Sequence, residues 1–138
     1  MLKIEEFFDM DALDALRVRR FGEGLDEHDD FSWHIALKDD GILLGAGRMY
    51  REGNALRIGK VCLAEPDAPN AVNYREMIFR TLMLKVTVEK PEWALADPEE
   101  GDAFYEKFGF RREGEVFRAR PEKLVFPKQC KECGKHAD

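Results

Sequence analysis

The chain has 138 residues, a length typical of one domain, and its 44% apolar content can build a hydrophobic core, which excludes a permanently disordered chain. The formal net charge of −6 argues against general nucleic-acid binding, which depends on basic surfaces. All of this net charge lies in residues 1–30, where ten acidic residues stand against four basic ones.

The sequence shows no sign of membrane insertion or secretion. No apolar run approaches the roughly 18 residues of a membrane helix, and the first residues do not resemble a signal peptide. Three cysteines are too few for a disulfide framework. We therefore expect a cytoplasmic protein with reduced thiols and no membrane partner.

The first half of the chain predicts one helix followed by a three-stranded meander. Residues 11–17 have acidic side chains at the start and apolar ones within, which favours a helix that Gly22 ends. Residues 31–37 alternate between apolar and polar side chains, as half-buried strands do. A turn at residues 39–41 leads into a second strand at 42–50, and a turn at 52–54 leads into a third strand at 55–63.

The second half alternates helices and strands. A helical stripe of apolar residues comes first, at Ile78, Phe79, Leu82, Met83 and Val86. Residues 93–96 predict a buried strand, Pro98 and the acids after it predict the start of a helix, and Gly109 predicts its end. The last strands are expected at Phe110 and within residues 116–126. The order αβββαβαββ indicates an α/β (α+β) class, with one mixed sheet flanked by helices.

Residues 104–110 read FYEKFGF, which resembles the F-Y-E-K-x-G-F signature of the GNAT acetyltransferase superfamily. The element order is also similar to that of the family. The resemblance covers residues 1–126 and leaves residues 127–138 as a C-terminal tail. It implies a GNAT fold and an N-acetyltransferase that moves an acetyl group from acetyl-CoA directly to an amine of a small molecule or peptide. A homodimer is compatible with it.

The resemblance assigns chemical roles to Tyr105 and to a carboxylate. A phenol stays protonated at neutral pH, so Tyr105 can protonate the leaving thiolate of CoA. The alternative is that Tyr105 is an amphipathic core residue. Glu65 is the carboxylate nearest to the end of the third predicted strand and could deprotonate the amine; the alternative is a solvated loop acid.

The start of the central helix departs from the R/Q-x-x-G-x-G/A loop with which the family binds the pyrophosphate of acetyl-CoA. The aligned positions here lack both glycines and are Asn70, Ala71, Val72, Asn73, Tyr74 and Arg75. Asn73 and Glu76 instead predict a capping box, whereas Arg75 could pair with a phosphate. The resemblance further assigns the backbone of Val61 and Leu63 to the thioester carbonyl and pantetheine.

The altered loop leaves two functions open. One is the N-acetyltransferase, and the other is a GNAT-shaped ligand-binding or regulatory protein without turnover. Cys62, in the third predicted strand, is interpreted as a small buried hydrophobe rather than a nucleophile. The acidic residues 26–30 either attract a cationic amine or form a solvated loop.

The C-terminal tail contains a C-x₂-C-x₂-H pattern formed by Cys130, Cys133 and His136. Two thiolates and an imidazole at this spacing can reach one zinc ion, although a structural zinc site needs a fourth ligand. The alternatives are a polar tail with incidental thiols and an interaction module that docks a partner through the tail.

Overall fold

The computed structural model describes residues 1–127. Its strands are β1 (Leu2–Glu6), β2 (Trp33–Asp39), β3 (Ile42–Glu52), β4 (Ala55–Leu63), β5 (Trp93–Ala96), β6 (Arg111–Glu113) and β7 (Val116–Ala119). Its α-helices are α1 (Met10–Phe21), α2 (Ala71–Glu89) and α3 (Asp102–Glu106). Two 3₁₀ helices complete the described elements, at Glu27–Phe31 and Pro121–Lys123.

The strands form one mixed sheet in the order β1-β2-β3-β4-β5-β7-β6. Strands β4 and β5 pair in parallel, whereas the other neighbours are antiparallel. Parallel neighbours need a crossover connection, and α2 provides it. The predicted fold class, a single mixed sheet flanked by helices, is confirmed.

The two longer helices lie against opposite faces of the sheet. Helix α2 buries the predicted apolar stripe in a core that also contains Phe108 and Phe117. Helix α1 buries Leu13 and Leu16 in a smaller cluster with Cys62. This arrangement leaves the end of β4 and the start of α2 side by side at one edge of the α2 face.

One strand was missed, and the predicted start of one helix was wrong. Strand β1 was not predicted, because a five-residue element with only Leu2 and Ile4 as apolar residues gives too short an alternation to recognise. Pro98 does not begin a helix: α3 starts at Asp102, and the residues before it form a loop whose backbone N–H groups bind the Tyr105 hydroxyl. Side-chain contacts therefore override the helix signal.

Gly109 follows α3 with a φ of +100°, as its predicted role in ending the helix requires. A Cβ atom at this position would lie 2.6 Å from the backbone carbonyl oxygen of Lys123. The glycine of the FYEKFGF string is therefore needed both for its backbone angle and for close packing against the second 3₁₀ helix.

Within residues 1–127 no helix is long and apolar enough to cross a membrane. The same residues contain no cluster of three His, Cys, Asp or Glu side chains that could hold a metal ion. The predicted zinc ligands Cys130, Cys133 and His136 lie outside the described residues.

Candidate active site

A gap opens between β4 and β5 halfway along β4. The parallel pairing runs from Ala55 opposite Trp93 to Ile58 opposite Ala96. One more hydrogen bond follows, from the Asp97 N–H to the Ile58 carbonyl oxygen at 2.8 Å. Strand β4 then continues to Leu63 without pairing with β5. The diverging strands leave backbone groups of β4 available to other partners.

A β-bulge in β4 lies at the mouth of this gap. In its pairing with β3, Gly59 lies opposite Arg48 and Cys62 opposite Ala46, so β4 has one residue more than β3 between these pairs. Lys60 occupies the bulge with a φ of +57°. Its backbone N–H is not used in the β3 ladder and donates to the Glu99 carboxylate at 2.5 Å.

Arg75 of α2 and Glu99 of the loop after β5 close the gap between them. The Arg75 guanidinium contacts Glu99 Oε1 at 3.3 Å and Glu100 Oε2 at 2.9 Å, and it donates to the Val61 carbonyl at 3.2 Å. The space that remains between the strands is about 10 Å³. Burial raises the pKa of Glu99, although Arg75 and the Lys60 N–H offset part of this effect.

The hydroxyl group of Tyr105 is buried at the inner end of the gap. It donates to the Asp97 carbonyl at 2.8 Å and accepts from the N–H groups of Glu99 at 2.7 Å and Glu100 at 3.1 Å. Burial raises the pKa of the phenol, while the two N–H donors act in the opposite direction. The side chain therefore keeps its proton at neutral pH, and the same donors are placed to stabilise a phenolate.

Helix α2 begins one turn earlier than the predicted capping box requires. Asn70 is the N-cap residue and makes no side-chain capping bond, and Asn73 lies inside the helix. The Glu76 carboxylate binds Lys107 Nζ at 2.6 Å instead of the helix start. The predicted capping box is therefore wrong, because Glu76 is used in an ion pair with the end of α3.

A shallow cavity of about 120 Å³ lies beside the first turn of α2, next to the gap. Of the predicted cofactor-binding residues, Leu63, Ala71, Val72 and Arg75 line it, and Val61 lines the gap. The remaining three do not line either space: Asn70, Asn73 and Tyr74. Glu65 is an exposed residue of the loop between β4 and α2 and also lies outside both spaces.

The acidic segment 26–30 is largely occupied by buried arginines. Arg48 Nη1 contacts Asp26 Oδ1 at 2.6 Å, and Arg17 Nη1 contacts Asp29 Oδ2 at 2.5 Å. Arg17 and Arg48 are only 1% and 2% exposed. Asp26 and Asp29 therefore neutralise internal cations, which differs from both alternatives that the sequence left open, attraction of a free amine and a solvated loop. No local sequence pattern indicates this network, because its members are far apart in the chain.

Cys62 is expected to resist alkylation in the folded protein. The thiol is 1% exposed, and burial raises its pKa to about 11, so very little nucleophilic thiolate forms at neutral pH. We predict that iodoacetamide at pH 7.5 leaves Cys62 unlabelled under native conditions and labels it in urea, as measured by peptide mass spectrometry. Equal labelling rates in both conditions would contradict the buried placement.

No protein-family model matches the sequence, and no curated protein matches it. Solved structures match its fold. The ribosomal-protein-S18-alanine N-acetyltransferase from Escherichia coli gives a TM-score of 0.70 at 9% identity, with 94% of this chain and 99% of that chain covered. A GNAT family acetyltransferase from Elizabethkingia anophelis, solved with acetyl-CoA bound, gives 0.67 at 11% identity, with 86% and 97% covered.

A third structure agrees with these two. The GNAT family N-acetyltransferase YhbS from Escherichia coli, in complex with CoA, gives a TM-score of 0.63 at 15% identity, with 88% of this chain and 81% of that chain covered. At these identities the similarity establishes the fold alone. The chain has the GNAT acetyltransferase fold, as the FYEKFGF string and the element order predicted.

Proposed function

We propose that this protein is an N-acetyltransferase that moves an acetyl group from acetyl-CoA to an amine of a small molecule or peptide. The observation that carries the proposal is the divergence of β4 from β5 beside the start of α2, with the bulge at Lys60 and the Tyr105 hydroxyl at the gap. Solved proteins of the same fold, among them one with acetyl-CoA bound, support it.

Different residues around the gap would bind the phosphate end and the thioester end of acetyl-CoA. The cavity at the first turn of α2 would take the phosphate groups, since a helix N-terminus favours negative charge and Arg75 would add a guanidinium once it leaves Glu100, which also lines the cavity. The edge of β4 at Val61 and Leu63 would hold the pantetheine arm. The N–H of Lys60 would stabilise the negative charge that develops on the thioester oxygen.

The transfer itself needs one nucleophile and one proton donor. The acceptor nitrogen attacks the thioester carbonyl, the carbon–sulfur bond breaks, and the thiolate takes a proton. Tyr105 would supply this proton after its hydroxyl releases the Asp97 carbonyl, and the N–H groups of Glu99 and Glu100 would hold the resulting phenolate. Glu65 would accept the proton of the amine through water from its exposed position.

In the structure the gap is too small for an acyl group, because Arg75 and Glu99 fill it. Glu99→Gln keeps the side-chain size and weakens the ion pair, so we expect acetyl-CoA to bind about threefold to fivefold more tightly. Isothermal titration calorimetry measures this affinity. Glu122→Gln, at an exposed position in the second 3₁₀ helix, is the matched control and should leave it unchanged. Equal or weaker binding by Glu99→Gln would contradict a closing role for this pair.

The closed gap also favours a second candidate function, a regulatory protein of this fold that binds a ligand without turnover. The ion pair and the missing loop glycines are the specific observations behind it. Two measurements separate the candidates: calorimetry with acetyl-CoA, followed by thiol release from acetyl-CoA in the presence of a panel of amines. Absence of binding at millimolar acetyl-CoA would refute the transferase, and binding without thiol release for any amine would favour the regulatory protein.

We further propose that residues 127–138 form a separate tail in which Cys130, Cys133 and His136 hold a zinc ion, and that the protein is cytoplasmic. The ligand spacing supports the zinc site, and the buried free thiol of Cys62 supports a reducing compartment. Elemental analysis of the purified protein tests the first of them, and an absence of bound metal would refute it.

A further inference from the structure

A cavity of about 440 Å³ lies at the end of the sheet where β1 ends and β2 begins, away from the strand gap. Its walls come from the connection between β1 and α1, the first 3₁₀ helix and the start of β2. The volume is within the range of small-molecule sites, about 300–1,000 Å³. His34 in its wall pairs with Arg48 of β3, which in turn pairs with Gly59 of β4. Two strand spacings, about 10 Å, therefore separate this wall from the candidate active site.

The cavity combines aromatic rings with carboxylates. Phe7, Phe8 and Trp33 supply the rings. Glu6, Asp29 and Asp30 supply the acidic groups, and within the described residues no lysine or arginine is part of the lining. Aromatic faces and carboxylates both attract cations, and the rings also accept an apolar body. Two of the three rings already have a cation of this chain over one face: Lys38 Nζ lies 5.3 Å from the centroid of the Phe7 ring, and Lys85 Nζ lies 5.1 Å from that of the Trp33 ring. The carboxylates and the remaining ring faces favour a cation over an anion.

The polar part of the wall is held in place by buried contacts. The Asp29 carboxylate accepts a hydrogen bond from Arg17 and a second one, at 2.7 Å, from the backbone N–H of Asp26. These donors largely neutralise its charge on the side away from the cavity. His34 Nε2 lies 3.0 Å from the carbonyl oxygen of Asp29. Because a carbonyl can only accept, Nε2 carries the proton, and Nδ1 in the neutral ring is an acceptor without a partner among the described residues.

The rim of the cavity has solvent-exposed apolar side chains. Phe8 is 80% exposed and Leu25 is 37% exposed, although both border a concave surface that could cover them. Exposed apolar side chains around a cavity are typical of ligand sites. Glu6 is oriented at the same rim, since its Oε2 accepts from Trp33 Nε1 at 3.1 Å.

We propose that this cavity binds a small organic ammonium ion with an aromatic or aliphatic body. The apolar body packs against Phe8 and Trp33, and the ammonium group lies between the carboxylates of Glu6 and Asp30. The site is independent of the acyl gap and of the proposed acetyl transfer. It requires neither CoA nor turnover.

The test uses the full chain without CoA, titrated with 2-phenylethylammonium and followed by two-dimensional ¹H–¹⁵N NMR. The indole N–H of Trp33 is the reporter, because it contacts Glu6 in the wall. We expect a saturable shift of this signal, with a dissociation constant of about 1 mM or below. Phenylacetate, which has a similar body and the opposite charge, should not shift it.

Two double variants locate the charge. Glu6→Gln with Asp30→Asn removes the two solvent-facing carboxylates of the wall and should weaken binding about tenfold. Glu5→Gln with Glu27→Gln removes the same charge from nearby positions outside the lining and should change binding less than about twofold. The same spectra show whether each variant is folded.

Three outcomes would overturn the proposal. The first is a Trp33 signal that does not move at about 10 mM ligand, which is 10-fold the expected dissociation constant. The second is equal binding of phenylacetate, which would show an apolar surface only. The third is equal weakening by both double variants, which would show a general effect of net charge. None of these outcomes depends on whether the protein transfers an acetyl group.

Discussion

Replacing Asp29 with asparagine is expected to lower the free energy of unfolding by about 3–5 kcal/mol, the usual cost of removing one partner from a buried ion pair. Arg17 and Arg48 both contact this carboxylate, and both are almost completely buried. The variant would leave their positive charges inside the protein without full compensation. Urea denaturation followed by circular dichroism measures the change.

Asp30→Asn is the matched control for this prediction. Asp30 is adjacent in sequence, has the same side chain and is exposed. Its replacement should alter the free energy of unfolding by less than about 0.5 kcal/mol, as for most surface substitutions. If Asp29→Asn were equally mild, the buried network would not contribute as its geometry indicates.

The same network makes the stability of the wild-type protein dependent on pH. The pKa of Asp26 lies well below its usual value because of the bond to Arg48. Burial opposes the ionisation of Asp29, but the bonds from Arg17 and from the Asp26 N–H outweigh it, so its pKa is lowered as well. A lowered pKa stabilises the folded state above the unfolded pKa of about 4, and this contribution is lost as the pH falls below that value.

The Tyr105→Phe variant is expected to lose about 100-fold or more in the rate of acetyl transfer if the proposed function is correct, which is the size of a typical general-acid contribution. It also removes a hydroxyl that satisfies one carbonyl and two N–H groups, so we expect a loss of about 1–3 kcal/mol in unfolding free energy. Thiol release from acetyl-CoA and urea denaturation measure the two effects separately.

Tyr50→Phe is the matched control, because it removes a phenol hydroxyl from a buried tyrosine outside the gap. Tyr50 is also buried, but it lies at the far end of β3 and stacks on His28 rather than lining the gap. Its replacement should leave the transfer rate within about twofold of the wild type. A Tyr105→Phe variant with an unchanged transfer rate would remove the acid role and leave Tyr105 as an anchor of the loop after β5.

The elements that follow from the sequence are those with a clear local pattern. Strands β4 and β5 were predicted with their observed bounds. Turn residues flank β4, and β5 is a short run of apolar residues. The start of α2 was placed incorrectly, because Asn73 looks like a cap and nothing local shows that Glu76 is paired with Lys107. Long-range ion pairs decide such boundaries.

The candidate site was only partly predictable. Tyr105 and Arg75 were found through the family resemblance, and both line the gap. Glu99 was missed, since Pro98 and the acids after it look like the first turn of a helix. Its role depends on a bulge 39 residues earlier in the chain, where the Lys60 N–H is turned out of the β3 ladder. The pairing of two distant strands creates this site, and no local spacing encodes it.

The buried arginine of β3 also constrains how the sheet can assemble. Arg48 faces the same side as His34 on β2, and its immediate neighbours Gly47 and Met49 face the α2 core. A slip of one residue between β2 and β3 would turn Arg48 into that apolar core and take it away from Asp26 and Asp29. Incorrect strand pairings are thus penalised by an uncompensated charge, so the network selects one register during folding.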